Sequence, residues 1–214
     1  MSNEPEIARL AACGVVPVVV LEDAHLAVPL ARALLAGGID VIEVTLRRPA
    51  ALAALETIAR EVPEILSVAG TVVTPAQVTD VKEAGAQAVV SPGFSEAVDD
   101  AMRAAGLPWL PGVATASDCM RAVAAGRLTC KFFPAEQAGG TSALKALSGP
   151  FPQMKFCPTG GVGLNNLADY LALKQVICVG GSWLVPADAI VNRDWARVTQ
   201  LAKEARERVK ALRG

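Results

Sequence analysis

The sequence predicts an α/β fold, a (β/α)8 TIM barrel with an extra N-terminal helix. Three observations predict it. Short β-branched runs alternate with Ala/Leu-rich amphipathic segments, and eight such strand–helix units can be counted. Hydrophobic residues make up 52% of the 214 while aromatics make up only 4%, a composition suited to parallel strands buried on both faces. A faint repeat recurs at Ala36, Ala84, Ala104 and Ala124 as Ala-Gly-Gly, Ala-Gly-Ala, Ala-Ala-Gly and Ala-Ala-Gly. Each copy marks a helix end, where glycine takes the left-handed conformation cheaply, and a strand follows at once. A doubly wound open sheet is the alternative, which periodicity does not separate from the barrel. With no linker, low-complexity stretch or composition break, residues 1–214 read as one domain.

The elements follow in order. A helix is expected over 4–12 and a strand over 15–21. Asp23 can cap the next helix, which runs through Leu35 and stops at Gly37-Gly38. Strand two covers 39–46 and its helix 50–61. Strand three covers 65–72. Thr74-Pro75 has the form of an N-cap and a first helical residue, and that helix ends at Gly85. Strand four is short, 88–91, with a helix over 95–105. Strand five covers 109–113 behind Pro108, and Ser117-Asp118 opens a helix that ends at Gly126. Strand six covers 128–133. Thr141 or Ser142 opens a helix that closes near Gly149-Pro150. Strand seven covers 154–158 with a helix over 165–173. Strand eight covers 175–179, and a long charged helix over 194–212 closes the chain.

Charge and cysteine usage narrow the function classes. The formal net charge is -1, and without a basic stripe neither nucleic acid nor an anionic membrane is an expected partner. Residues 1–6 lack the basic patch and apolar run of a signal peptide. The apolar runs are too short and too interrupted to span a bilayer. The five cysteines are scattered, with no C-x-x-C, and read as reduced, mostly buried thiols of a cytoplasmic protein.

In a TIM barrel chemistry collects at the C-terminal strand ends. There the sequence places Glu43 and Arg47, Thr71, Ser91-Pro92-Gly93, Lys131-Phe132-Phe133-Pro134, Thr159-Gly160-Gly161 and Gly180-Gly181-Ser182. Lys131 lies inside an apolar strand-like run. One reading is an amine that snorkels to the rim of a sheet. The other is a Schiff-base nucleophile, neutral because desolvation disfavours its ammonium form while a nearby carboxylate pulls the other way. Glu43, between Ile42 and Val44, is half of a buried ion pair with Lys131 or Arg47, or a general acid/base; the two roles overlap. Arg47 offers a planar fork suited to a carboxylate. The two glycine pairs, with Thr159 and Ser182 beside them, are the phosphate candidates, because backbone N–H groups can close on oxygens there. The only histidine, His25, lies far from the strand ends, and the two or three histidines usual for catalytic zinc are absent from the sequence. Lys155 starts its strand and reads as structural. The three tryptophans are core or interface candidates without assigned chemistry.

Taken together, Val41-Ile42-Glu43-Val44-Thr45-Leu46-Arg47, Gly70-Thr71-Val72, Ser91-Pro92-Gly93, Lys131-Phe132-Phe133-Pro134-Ala135-Glu136, Phe156-Cys157-Pro158-Thr159-Gly160-Gly161 and Gly180-Gly181-Ser182-Trp183-Leu184 resemble the bacterial 2-keto-3-deoxy-6-phosphogluconate (KDPG) aldolases, a family that also handles 4-hydroxy-2-oxoglutarate. The likeness runs from about Cys13 to near the C-terminus. It implies a Schiff-base aldolase without a cofactor, a homotrimer, acting on a phosphorylated 2-keto sugar acid and releasing pyruvate. Carried onto this chain, Lys131 forms the imine and Glu43 moves protons. Arg47 and Thr71 hold the pyruvyl carboxylate, Pro92 and Phe133 shape that end, and Thr159 orients the substrate. Gly160, Gly161, Gly181 and Ser182 hold the phosphate. Two other classes compete: a phosphosugar epimerase or isomerase, which needs no imine and resists borohydride, and a non-catalytic phosphosugar-binding barrel.

Overall fold

A computed structural model describes residues 5–214. The predicted start of the first helix at residue 4, and most of the N-terminal stretch read for a signal peptide, lie outside the described residues. The chain begins with α1 (Pro5–Cys13) and β1 (Val15–Val19), the extra N-terminal helix thus preceding the first strand. Then α2 (Ala27–Ala36), β2 (Val41–Thr45), α3 (Ala51–Glu61), β3 (Leu66–Gly70), α4 (Pro75–Glu83), β4 (Ala88–Val90) and α5 (Glu96–Ala105) alternate. The second half holds β5 (Trp109–Leu110), β6 (Gly112–Val113), α6 (Ala116–Ala124), β7 (Thr129–Phe132), α7 (Gly140–Ser148), β8 (Lys155–Pro158), α8 (Leu167–Leu171), β9 (Val179–Gly181), α9 (Ala187–Val191) and α10 (Trp195–Arg213).

Every residue of β2 and β3 is buried, as parallel strands covered on both faces must be. Each Ala/Gly repeat ends its helix on a left-handed glycine: Gly38, Gly85, Gly106 and Gly126 all have φ between 68° and 81°. Asp23 accepts from His25 N–H (2.9 Å), but the turn it caps is a 3-10 helix, Ala24–Leu26, in which His25 is exposed. Thr74 and Gln77 form a full capping box. On α6 the cap is Thr115 rather than Ser117, and α7 starts at Gly140 rather than at Thr141 or Ser142. The last helix, α10, ties the ends together: Thr199 donates to Ala33 O (3.0 Å), and Arg213 donates to Ala11 O (3.1 Å) and Val176 O (3.0 Å). Among the described residues no helix is long and apolar enough to cross a membrane.

The closed (β/α)8 TIM barrel expected from the unit count is not formed. The strands make a six-stranded parallel half-barrel sheet, ordered β5-β4-β3-β2-β1-β9, and a separate three-stranded sheet, β6-β7-β8. Proline causes one seam. The predicted fifth strand breaks at Pro111, which has no N–H for the ladder; Trp109 and Leu110 pair with β4, while Gly112 and Val113 pair with β7. At the other seam only isolated bridges, Phe156↔Val176 and Thr159↔Gly180, link the sheets. The eighth strand falls later than predicted and is short: two of its three residues are glycines, which weaken a strand interior. Nor does the order reverse as in a doubly wound sheet: β1 to β5 lie side by side in chain order.

Candidate active site

Lys131 on β7 and Glu43 on β2 come from different sheets and meet in the interior. Lys131 Nζ donates to Glu43 Oε1 at 3.2 Å, with side-chain exposures of 4% and 3%. Each sits in an apolar strand, so burial comes from the strand pattern and the charges satisfy each other, as buried charges must. Gly70, the last residue of β3, makes room for the pair: a Cβ there would overlap Glu43 Oε1. The Phe133 ring centre lies 5.1 Å from Lys131 Nζ.

Phe133 also lines a cleft of ≈ 430 Å3, together with Arg47, Thr159, Gly160, Gly161, Gly181 and Ser182. Seven of the residues singled out from sequence therefore share one cavity wall. Arg47 and Ser182 are exposed, Phe133 is half-buried, and Thr159 is buried. The two glycine pairs serve different needs. Gly160 and Gly161 have φ of 101° and 76°, a backbone only glycine adopts easily. Gly180 and Gly181 have no positive φ; they are bare because the Thr159 side chain and the Trp183 ring occupy the places of their Cβ atoms.

Two predicted residues stand elsewhere. Pro92 lines a neighbouring groove of ≈ 200 Å3 with Val72, Val73 and Phe94, and its carbonyl packs where Gly112 would carry a Cβ. Thr71 lies outside the lining of both cavities. It is half-buried, with φ 64°, a strained conformation for a β-branched residue and one that clusters at functional sites.

Four neighbours have no role in the sequence reading, although Glu136, Cys157 and Trp183 stand within its motifs. Cys157 is the register partner of Lys131 and sits 3.9 Å from the Thr159 hydroxyl through its Sγ; its spacing of two from Thr159 places both on one strand face. Trp183 lines the cleft beside Gly181. Glu136 and Tyr170 are joined by a hydrogen bond in which the tyrosine hydroxyl donates to Glu136 Oε1. Burial first, and the adjacent Glu136 carboxylate next, push the Tyr170 hydroxyl well above its ordinary pKa, which keeps it a donor. The Glu136–Tyr170 pair carries no local signal, because its contact crosses between segments 34 residues apart.

Comparison with known proteins agrees with this geometry. The chain is 52% identical over 196 residues, 92% of each chain, to the KHG/KDPG aldolase of Escherichia coli (strain K12). Its structure is similar to that of KDPG aldolase from Legionella pneumophila, in which pyruvate was captured at low pH as a covalent carbinolamine intermediate (TM-score 0.91, 48% identity, covering 94% of this chain and 97% of that one). It is also similar to the 2-keto-3-deoxy-6-phosphogluconate aldolase of Zymomonas mobilis ZM4 with 3-phosphoglycerate (TM-score 0.89, 44% identity, covering 96% and 95%). The family model of KDPG and KHG aldolases matches residues 7–201, a span that holds the buried lysine, its carboxylate partner and the lining of the cleft: the chain belongs to the KDPG and KHG aldolase family.

Proposed function

We propose that this chain is a Schiff-base aldolase that reversibly cleaves 2-keto-3-deoxy-6-phosphogluconate to pyruvate and glyceraldehyde 3-phosphate. The observation that carries the reading is the buried Lys131–Glu43 pair, 3.2 Å apart, with Phe133 between Lys131 and a cleft that has an arginine and two glycine pairs on its wall. The carbinolamine captured in the Legionella relative supports the covalent step. The 3-phosphoglycerate of the Zymomonas relative supports a phosphorylated substrate.

Glu43 takes a proton from the Lys131 ammonium, the freed amine adds to the C2 carbonyl, and Glu43 returns the proton to the carbinolamine hydroxyl, which leaves as water and gives an iminium. This electron sink accepts the C3–C4 bonding pair as the C4 hydroxyl gives its proton to Glu43. Glyceraldehyde 3-phosphate departs. Glu43 returns the proton to C3 of the enamine, and hydrolysis releases pyruvate and Lys131. Arg47 and Thr71 hold the pyruvyl carboxylate, with Pro92 and Phe133 shaping that end and Thr159 orienting the substrate. Gly160, Gly161, Gly181 and Ser182 hold the phosphate. The name of the E. coli relative also favours 4-hydroxy-2-oxoglutarate, cleaved to pyruvate and glyoxylate by the same steps.

The reading treats residues 1–214 as one catalytic domain, consistent with a single core cluster from Ile7 to Val209. It places that domain in the cytoplasm, in keeping with five unpaired thiols, and in a homotrimer. Pyruvate with borohydride is expected to trap irreversibly on Lys131. Glu43→Gln is expected to lower turnover by about 10²–10⁴-fold, the usual worth of a general acid/base. An adduct mapped to another lysine, or no adduct, defeats the mechanism.

A further inference from the structure

We infer that Glu136 and Tyr170 act as a clamp that positions the turn at 159–161 for the phosphate end of the substrate. The inference rests on the aldolase reading and extends it to two positioning residues that do not touch the substrate.

The turn is held from one side. Thr159 O accepts from Ala135 N–H (2.8 Å) and Gly160 O from Glu136 N–H (3.1 Å). Gly161 O accepts from the Asn166 side-chain amide at 3.1 Å. In a trans peptide the carbonyl and the following N–H point in opposite directions. Drawing the Gly160 and Gly161 carbonyls toward Glu136 and Asn166 therefore turns the Gly161 and Val162 N–H groups the other way. Both residues line the cleft, and two N–H groups so aligned on a left-handed glycine pair form an anion-binding nest.

A glycine pair has the most backbone freedom to lose, so the turn needs a support that its own side chains cannot supply. Glu136 supplies it. Its side chain lies against Gly161, where an added Cβ would come 2.7 Å from Glu136 Cβ. Its carboxylate is in turn fixed by the hydroxyl of Tyr170, a 0% exposed residue on α8, the helix that follows the turn. The pair therefore bridges the segment after β7 to α8, with the turn between them. A carboxylate would repel a phosphate if it entered the cleft. Its place on the carbonyl side of the turn suits a support rather than a ligand.

The test compares Tyr170→Phe, Glu136→Ala, the double variant and Glu136→Gln, using KDPG cleavage and, as a phosphate-free readout, pyruvate trapping on Lys131. Tyr170→Phe and Glu136→Ala are each expected to raise KM for KDPG about tenfold with kcat little changed. The double variant should be no worse than either single one, because one interaction is lost once. Glu136→Gln should stay near wild type, since its amide oxygen still accepts from Tyr170. Pyruvate trapping should be unchanged in all four. Equal losses in trapping and in KDPG cleavage, additive effects in the double variant, or unaltered KM overturn the clamp. Wild-type protein that neither traps pyruvate nor cleaves KDPG sinks the aldolase reading and the clamp together, whereas unaffected variants of an active wild type sink the clamp alone.

Discussion

A Cβ at Gly70 would overlap Glu43 Oε1 and lie 2.8 Å from Glu43 Cγ, so β3 presents bare backbone where the carboxylate reaches toward Lys131. Gly70→Ala should push that carboxylate off its partner. A misplacement of about 1 Å at a reacting group costs on the order of 10²-fold, so kcat for KDPG should fall by about that factor. Overpacking should cost about 1–3 kcal/mol of stability, readable in a urea melt. A variant with wild-type kcat would break the link between Gly70 and the pair. At this scale Lys131 and Glu43 were legible because a charge inside an apolar strand is costly and therefore conspicuous. Gly70 stands out in the sequence only as the start of Gly-Thr-Val. Its reason is a contact with another strand, which no local pattern records. The same holds for Gly180, a phosphate candidate that is bare also because Thr159 lies against it, whereas Gly181 is bare because the Trp183 ring, two residues on, lies against it.

The helices after the strands are fixed by their first turns. On α6, Thr115 accepts from Asp118 N–H (3.2 Å), and Asp118 accepts from the Thr115 hydroxyl (2.8 Å) and from the Ala114 (3.1 Å) and Thr115 (3.0 Å) N–H groups. Partial burial pushes the Asp118 carboxyl up, but these hydrogen bonds outweigh it and hold the group below its ordinary value. Thr115→Ala should cost about 1 kcal/mol without altering kcat, lowering Tm by about 2–4 °C for a chain of this size. For Asp118 the sign follows from the depressed native value. Its ionised form contributes stability above the unfolded carboxylate pKa, about 3.9, and loses it as pH falls through the native value. Asp118→Asn should therefore be less stable than wild type at pH 7, with the gap closing in acid; urea melts showing a pH-independent gap would contradict this. Element existence is legible where the pattern is long: the first seven predicted strands are occupied, the fifth in two pieces, while the eighth meets its prediction only at Val179. The boundaries are not. Thr115 and Ser117 are both good caps, and only the three-residue spacing from Thr115 to Asp118 marks the true one. Pro111 lay within the predicted fifth strand as a plain warning of a break, whereas the five-residue helix α9 is too short for periodicity to signal.

The whole molecule departs most from its sequence reading in closure. Counting strand–helix units predicts roughly how many strands exist; whether their edges join depends on hydrogen bonds between residues far apart in the chain, such as the isolated bridge Thr159↔Gly180. Association is equally non-local. Isolated apolar side chains on a surface are ordinary, but one here lines a groove and another is next in sequence to an arginine that packs on it. Val73, 50% exposed, lines the groove with Pro92 and Phe94. Met120, 64% exposed, precedes Arg121, whose guanidinium lies 5.4 Å from the Phe94 ring centre. Apolar side chains around a groove rimmed by arginine match the composition of interface cores, and they support the proposed trimer through this face. Light scattering should then give three times the 22.1 kDa chain mass. Val73→Glu and Met120→Glu should shift the protein toward monomer, because an unpaired charge buried in an interface is costly, while native-like melts confirm that each variant still folds. A wild-type chain that stays monomeric at micromolar concentration defeats the trimer. A trimer indifferent to both substitutions moves the interface away from this groove.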